Sequence, residues 1–303
     1  MFTGPRRIDG CDHGIEHHHA IVKAILSKKT HRGQLVEMDE FENFGIGVSI
    51  DGEPQFSELD TDMFHQPFAH QVLPFLRDRR HIGICGGGDF GLVREIVRYP
   101  DIETITVIDW DFDFMEIAKG MLEFVHQGAW RDPRVSIEEH CPDAFDFIVH
   151  TEKRFNALFW DLTDMTTTRG IRPNFVRLVK RLLAPGGVWI IQAGQLSKIP
   201  AALDAFLENL QVIAPEFARI WVSKRFIPFF SYEQAWIIAT DDGNFNPLIG
   251  GQENFGILLA HATHSDEELS EYSGKTHFAN FALSPSIHRA IKRILGSKFL
   301  QQR

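Results

Sequence analysis

Residues 81–111 read HIGICGGGDFGLVREIVRYPDIETITVIDWD. Ile82 and Ile84 mark a buried strand, Gly86-Gly87-Gly88-Asp89-Phe90-Gly91 a glycine turn, and the run after it an amphipathic helix. A second strand, Ile105–Ile108, ends in the acid Asp109. Strand, crossover helix and strand make one βαβ unit, and a nucleoside belongs at its switch point. Gly86-x-Gly88-x-x-Gly91, with an acid about twenty residues on, formally satisfies the dinucleotide fingerprint. Asp89 argues for a different ligand, because a carboxylate inside the turn would face a pyrophosphate. Like charges at about 4 Å in a partly desolvated site repel by on the order of 4 kcal/mol. A sulfonium or an ammonium suits the turn instead, which points to an adenosyl sulfonium compound with Asp109 on its ribose hydroxyls. The plainer alternative is a turn that packs helix on sheet, with Asp89 as an N-cap.

Outward from this unit, strands and helices alternate from His81 to Thr240. Val135–Glu138 reads as a strand, followed by a helix from Asp143, the strand Ala157–Trp160 and a helix through Asn174–Leu183. A turn at Pro185-Gly186-Gly187 leads to the strand Val188–Gln192, a helix near Ala201–Val212, and strands near Ala218–Val222 and Ala235–Ala239. That rhythm predicts an α/β fold, a doubly wound Rossmann-like sheet covered on both faces. Upstream, residues 34–58 alternate apolar and polar, with turn signals at Asn43-Phe44-Gly45 and Asp51-Gly52. They read as a small N-terminal antiparallel β unit. Asp60-Thr61 caps a helix expected over Asp62–Leu76. Residues 1–28 carry Asp12, His13, Glu16, His17, His18 and His19, and without supported ligand spacing they read as a mobile, polar, His-rich terminus. After Asp241-Asp242-Gly243-Asn244 the βα rhythm stops, and Ile287–Phe299 fits a terminal amphipathic helix with a basic face. The expected divisions are 1–28 for the terminus, 29–78 for the β domain and first helix, 79–244 for the nucleoside-binding catalytic domain, and 245–303 for a C-terminal extension.

A chain of 303 residues buries a full core. Its net charge of -10 disfavours nucleic acid and anionic membranes and favours cationic small molecules near an acidic cleft. No apolar run approaches the roughly 20 residues of a membrane span, and no signal-peptide pattern opens the chain. Cys11, Cys85 and Cys141 show neither metal spacing nor a disulfide framework, so a reducing cytoplasm is the expected compartment.

Four acids fall at strand ends, Asp89, Asp109, Asp143 and Asp161, along the edge where open α/β sheets bind ligands. Asp161-Leu162-Thr163-Asp164 follows the apolar run Ala157–Trp160, which places both carboxylates at the cleft mouth. An amine with a lysine-like pKa near 10.4 is protonated at neutral pH and must lose a proton before it attacks carbon. One carboxylate can take that proton while another anchors a distal ammonium, provided burial and neighbouring acids raise it above the ordinary aspartate range. The plainer reading makes Asp161 a cap. Asp143 with the backbone of Ala144 can read an adenine edge, and Asp143 serves equally well as an N-cap.

Several separated blocks resemble the polyamine aminopropyltransferases, the spermidine synthase family. The similarity runs from about Gln34 to about His288. GGGDFGLVREIVRYPDIETITVIDWD is similar to the family's GGGDGG–LRE–hP–VE–EID block, DPRVSIEEHCPDAFDF to its DPR…DGF region, and FNALFWDLTDM to its D-V-I-x-x-D-S-S-D-P segment. LLAPGGVWIIQAG resembles the L-x-P-G-G-x-x-x-Q strand, QLVEMDEFENFGIGVSIDGEPQFSELDTDMFHQPFAH the N-terminal β domain and gate helix, and EYSGKTHFANFALSPSI the C-terminal segment. The resemblance implies a methyltransferase-type Rossmann-like fold and transfer of the aminopropyl group of decarboxylated S-adenosylmethionine to an amine, putrescine or a longer or more apolar one, with release of methylthioadenosine. It implies Gln34 and His65 on the methionine-derived chain and Asp89 on its amine. Gly86 and Gly88 would lie in the nucleotide loop, Asp109 on ribose, and Asp143 and Ala144 on adenine. Asp161 would be the catalytic acid/base, with Asp164, Phe64 and Phe230 at the acceptor. It implies a homodimer, and no metal or cofactor beyond the donor.

The chain departs from the family pattern on the acceptor side. Phe64 and Phe230 stand where the family has tyrosines, Gln66 where it has glutamate and Met165 where it has proline. Thr166-Thr167-Thr168 replaces the G-P-A loop, and Phe90 replaces a glycine of the nucleotide turn. Two alternatives stay open: an S-adenosylmethionine-dependent amine N-methyltransferase on the same scaffold, and a catalytically silent protein that binds an adenosyl ligand or a polyamine.

Overall fold

The computed structural model describes residues 6–11, 15–138, 143–162 and 172–301, with side chains described from His19 onward. Two sheets organise the chain. The first is a five-stranded antiparallel meander in chain order: β1 (Arg6–Cys11), β2 (Ile15–Lys29), β3 (Leu35–Phe41), β4 (Gly45–Ile50) and β5 (Glu53–Ser57). Its β4–β5 turn falls at the Asp51-Gly52 pair, as expected from the sequence.

The described part of the first 28 residues differs from expectation. Residues 6–11 and 15–28 are strand rather than a loose polar terminus: β1 pairs with β2, and β2 continues the sheet by pairing Ile21–Lys29 with Leu35–Phe41. The buried ring of His19 accounts for part of this, packing on Phe41, Phe44 and Phe229 at 4.9–5.7 Å. An imidazole among aromatic rings fills a core position that a polarity count scores as solvent.

The second sheet has seven strands in the order β11-β12-β10-β9-β6-β7-β8. They are β6 (His81–Gly86), β7 (Thr104–Ile108), β8 (Val135–Ile137), β9 (Phe155–Asp161), β10 (Leu183–Gln195), β11 (Arg219–Ile227) and β12 (Tyr232–Thr240). β8, β7, β6, β9 and β10 run parallel, and the β11–β12 hairpin adds an antiparallel edge. This is the expected Rossmann-like, methyltransferase-type sheet. Helices cover both faces, which is why β9 reads as an unbroken apolar run. Phe159 and Ile190 face α1 (Thr61–His70) and α2 (Gly91–Ile96), whereas Leu158, Trp160, Trp189 and Ile191 pack toward α5 (Ala144–His150), α6 (Pro173–Arg181) and α7 (Pro200–Ile213). The β7–β8 connection adds α3 (Phe112–Met121) and α4 (Glu123–His126).

α1 stops at His70 rather than Leu76, and a 3₁₀ turn, Leu73–Phe75, follows. The helical run is interrupted at Val72, which adopts φ −125°, ψ −51°. Among the described residues, no helix is long and apolar enough to cross a membrane.

The tail is more ordered than its sequence suggests, with α8 (Gly251–Thr263), α9 (Gly274–Asn280) and α10 (Pro285–Leu295). α10 starts near the expected terminal helix and buries Ile287, Ile291 and Leu295. His277 on α9 lies fully buried between Phe75 and Phe255, stacked at 5.3 and 4.7 Å. Its Nε2 donates to the Pro247 carbonyl at 2.6 Å, and its Nδ1 accepts from the Tyr272 hydroxyl at 2.7 Å. Burial drives its pKa down to about 4, against the pull of the Pro247 carbonyl. The folded pKa lies below the unfolded one, so this histidine contributes stability above about pH 6.5 that is lost as pH falls through 4. The linkage is worth about 3 kcal/mol. In urea unfolding at pH 7, 5.5 and 4, the stability gap between wild type and His277→Gln should close by that order. A gap independent of pH would mean that His277 is not buried neutral.

Candidate active site

The site grows out of the switch point between β6 and β9. β6 pairs with β7 on one side and with β9 on the other, and Gly86 sits opposite Asp161 across the crevice. Open α/β sheets bind ligands where such neighbours diverge. Gly86 adopts φ +86°, and a β-carbon there would stand 2.0 Å from the Asp161 carbonyl oxygen. Only glycine brings the turn this close to β9.

The turn hands Asp89 to His65. Asp89 Oδ1 accepts from the Gly91 N–H at 2.7 Å, a bond within the turn, the N-cap of α2 being Phe90, while Oδ2 lies 3.6 Å from His65 Nε2. That separation is an ion-pair distance but too long for a direct hydrogen bond. His65 is 1 % exposed, and its Nδ1 is occupied by the Thr61 carbonyl at 2.8 Å and the Thr61 hydroxyl at 3.0 Å. Among the described residues, Nε2 has no hydrogen-bond partner. Gly91 makes room for the ring, since a β-carbon there would stand 2.5 Å from Nε2. Burial opposes charge on both partners, yet the Asp89 charge raises the His65 pKa and the His65 charge lowers that of Asp89.

Asp161, the last residue of β9, titrates very differently. Burial, the charge of Asp89 and, more weakly, that of Asp109 push its pKa up to about 7, with His65 opposing. Asp109 follows β7. Its Oδ2 accepts from the Gly88 N–H at 3.0 Å and its Oδ1 from the Asp111 N–H at 2.9 Å. Burial outweighs those two bonds and lifts its pKa to about 6. Each carboxylate oxygen keeps one acceptor position, so Asp109 can still take two hydroxyls. Asp143 lies farther along the edge, where it caps α5 by accepting from Asp146 N–H at 2.8 Å, with buried Ala144 beside it. The capping role thus holds for Asp143, alongside any role at a base.

Phe90 occupies the turn with φ +62°, a left-handed conformation in which L-residues are strained. Complete burial of its ring, near His126 and under Lys119, holds it there.

α1 presents His65 because its other face is anchored. Asp62, Gln66 and His70 lie one turn apart. Arg94 bridges Asp62 at 2.5 Å and Glu95 at 2.7 Å, and His70 joins the Tyr99 hydroxyl at 2.6 Å to Glu95 at 2.9 Å. Burial would raise the Glu95 pKa, yet His70 and the two arginines Arg94 and Arg98 hold it at about 2. Gln66 donates to Ser270 Oγ and accepts from the Glu271 N–H, both at 2.9 Å, which ties α1 to the tail. Asp60 holds the N-cap position of α1, as expected, but its side chain makes no capping bond; it accepts from Ser57 and from the Phe229 N–H and ties α1 to the β11–β12 turn.

Phe64 on α1 and Phe230 in that turn meet edge to face at 6.0 Å. Trp236 stands 5.8 Å from Phe64, and Tyr232 stands 5.3 Å from Phe230. Gln34 closes the β2–β3 turn, with its carbonyl accepting from Thr30 N–H. Asp164, Met165 and Thr166-Thr167-Thr168 lie outside the described residues, as does Cys141. The structure therefore gathers Asp89, Asp109, Asp161 and His65 around one crevice, with the aromatic wall beside His65. Sequence reading missed Gly91 as the seat of His65 and the Arg94 network behind α1. Local pattern carries no sign of either, because the partners come from separate segments.

Sheet topology and this row of carboxylates define a Rossmann-like α/β protein of the methyltransferase type. The spermine/spermidine synthase domain model matches residues 61–245, more than half of the chain, and the chain belongs to that family. It is 29% identical over 280 residues to a polyamine aminopropyltransferase of Sulfolobus acidocaldarius, covering 91% of this chain and 89% of that one. It is also 29% identical over 272 residues to the polyamine aminopropyltransferase of Nitrosomonas europaea, 87% of this chain and 79% of that one. In fold it is similar to a spermidine synthase in complex with the transition state analogue AdoDATO, with TM-score 0.82, 21% identity, and 98% and 96% of the two chains covered. The spermidine synthase of Thermotoga maritima gives TM-score 0.80 at 19% identity, covering 97% and 95%.

Proposed function

We propose that this protein is a polyamine aminopropyltransferase that moves the aminopropyl group of decarboxylated S-adenosylmethionine to an amine. The observation that carries this reading is Asp161, a carboxylate at the crevice whose pKa is pushed to about 7 by burial and neighbouring acids. An ordinary aspartate is too weak a base for an ammonium, whereas one near 7 is matched to proton transfer at neutral pH. In the step proposed, the acceptor nitrogen gives its proton to Asp161 and its lone pair attacks the methylene carbon on the sulfonium. The C–S bond breaks, and sulfur keeps that electron pair as the neutral thioether of methylthioadenosine. Asp89 and His65 bind the donor's aminopropyl end together with Gln34. Asp109 takes the ribose hydroxyls beside the Gly86–Gly88 turn, and Asp143 with Ala144 faces adenine. Asp164 belongs with the acceptor's distal ammonium.

The row of acids favours a donor without a carboxylate. An α-carboxylate near Asp89 and Asp161 would be repelled by them, with the His65 charge offsetting part of that repulsion, which counts against an N-methyltransferase using the intact donor. For the acceptor, Phe64, Phe230 and Trp236 make a wall with few polar groups. Two hydroxyls fewer than a tyrosine pair would offer weaken a short diamine by roughly one order of magnitude. Buried methylenes gain about 0.8 kcal/mol each, so a longer or more apolar amine should outperform putrescine.

Incubation with each donor and an amine panel, with products identified by mass, tests both points. The expected products are aminopropylated amine and methylthioadenosine, with kcat/KM highest for an acceptor other than putrescine. Phe64→Tyr with Phe230→Tyr should then shift the ratio back toward putrescine. Methylated amine in place of aminopropylated amine would overturn the donor assignment. A wild type most efficient with putrescine would overturn the acceptor assignment.

A further inference from the structure

The turn between β2 and β3 reaches across to the segment just after Asp109. The Thr30 hydroxyl donates to Asp111 Oδ2 at 2.6 Å, and both residues are buried. On either side, the His31 N–H donates to Asp113 Oδ2 at 2.7 Å, and Arg32 Nε donates to the Trp110 carbonyl at 2.8 Å with its guanidinium 5.5 Å from the Trp110 ring. Both carboxylate oxygens of Asp111 are engaged: Oδ2 holds Thr30, Oδ1 caps α3 by accepting from Phe114 N–H at 3.1 Å with His31 Nδ1 3.9 Å away, and its own N–H donates to Asp109 Oδ1. One chain of hydrogen bonds therefore runs from Thr30 through Asp111 to Asp109.

We infer that Thr30 is a positioning residue for nucleoside binding, which orients the Asp109 carboxylate through Asp111 so that its free acceptor positions meet the two ribose hydroxyls. The inference rests on the ribose role proposed for Asp109. The geometry favours it because, among the described residues, Asp109 has no side-chain partner of its own: two backbone N–H groups, from Gly88 and Asp111, fix its plane. The Gly88 N–H belongs to the glycine turn. The Asp111 N–H depends on how Asp111 is seated, and the Thr30 hydroxyl is the short contact from the β2–β3 turn that seats it, with the His31 ring farther off at 3.9 Å. Without that hydroxyl, a buried carboxylate oxygen of Asp111 is left unmatched, and the Asp111 peptide shifts to find another donor.

The test uses the full chain and measures affinity for 5′-methylthioadenosine and for its 2′,3′-dideoxy analogue by calorimetry. The variants are Thr30→Val, which keeps shape and loses the hydroxyl, and Thr30→Ser, which keeps the hydroxyl. For methylthioadenosine, Thr30→Val should weaken binding about two- to tenfold, the range of one hydrogen bond, and Thr30→Ser should stay within about twofold of wild type on the same scale. The dideoxy analogue should bind wild type more weakly and lose nothing further in Thr30→Val, because the two changes act on one interaction. Equal weakening of both ligands in Thr30→Val would show a merely structural role and overturn the inference, as would unchanged methylthioadenosine affinity. A wild type that binds both ligands alike would instead remove Asp109 from the ribose. If Thr30→Val does not fold, Thr30→Ala, which also removes the hydroxyl, decides: reduced discrimination between the two ligands supports the relay, and discrimination equal to wild type overturns it.

Discussion

Asp161→Asn should lower kcat by about 10²–10⁴, the usual contribution of a positioned general base, and should leave affinity for methylthioadenosine within a few-fold. Asparagine preserves the shape at the end of β9 but neither accepts the proton nor offers a negative charge to the incoming ammonium. The pH profile gives a second reading of the same group. Asp161 must be ionised to act, and its pKa in the free protein is pushed to about 7, so kcat/KM for wild type should rise with pH through that value. Once the cationic donor is bound, two positive charges favour the carboxylate, and the rising limb of kcat should move to lower pH. The limb near 7 should vanish in Asp161→Asn. If the variant kept more than about half of wild-type turnover, far above the loss expected of a general base, the catalytic assignment would be untenable.

The second large effect is expected at Asp89. In Asp89→Asn the side-chain oxygen still accepts from Gly91 N–H, so the turn is retained while its charge disappears. A charge-assisted contact to the donor's ammonium is worth about 1.5–3 kcal/mol, which predicts a fall in kcat/KM of about tenfold to about a hundredfold with the decarboxylated donor. The intact donor loses an attraction and a repulsion together and should be less affected, so the preference between donors narrows. Side-by-side kinetics with both donors decides it. A preference ratio unchanged from wild type would detach Asp89 from the donor's aminopropyl end.

The sequence was legible where one residue type does one physical job. Strands β6, β7 and β9 are apolar because helices bury both faces, and an acid just after such a run has only the open edge to occupy. That is why the sequence places Asp89, Asp109 and Asp161 on one edge, where the structure brings them together. Legibility failed where a residue did an unusual job. His19 is a core residue in a histidine-rich stretch, so the β1–β2 pair looked like a solvated terminus. Asp60 reads as a cap but is buried and spent on Ser57 and Phe229, the latter from a strand pair far along the chain. Helix α8 carries Phe255, Leu259 and Ala262 along one side, a stripe present in the sequence but hidden by the end of the βα rhythm. Thr30 and Asp111 are separated by 81 positions, and nothing in either neighbourhood announces the other.

The anchoring of α1 bears on how ligands come and go. Swinging this helix outward means parting Arg94 from Asp62, His70 from Glu95 and Tyr99, and Gln66 from the tail. A hydrogen bond to a charged group is worth about 1.5–3 kcal/mol, and Asp62–Arg94 and His70–Glu95 would be lost together with the Gln66 bonds, so an outward-swung α1 is a rare state. The helix that carries His65 is thus a fixed post rather than a door. Its amide hydrogens belong among the slowly exchanging ones, and the traffic of donor and acceptor passes in front of it without disturbing it.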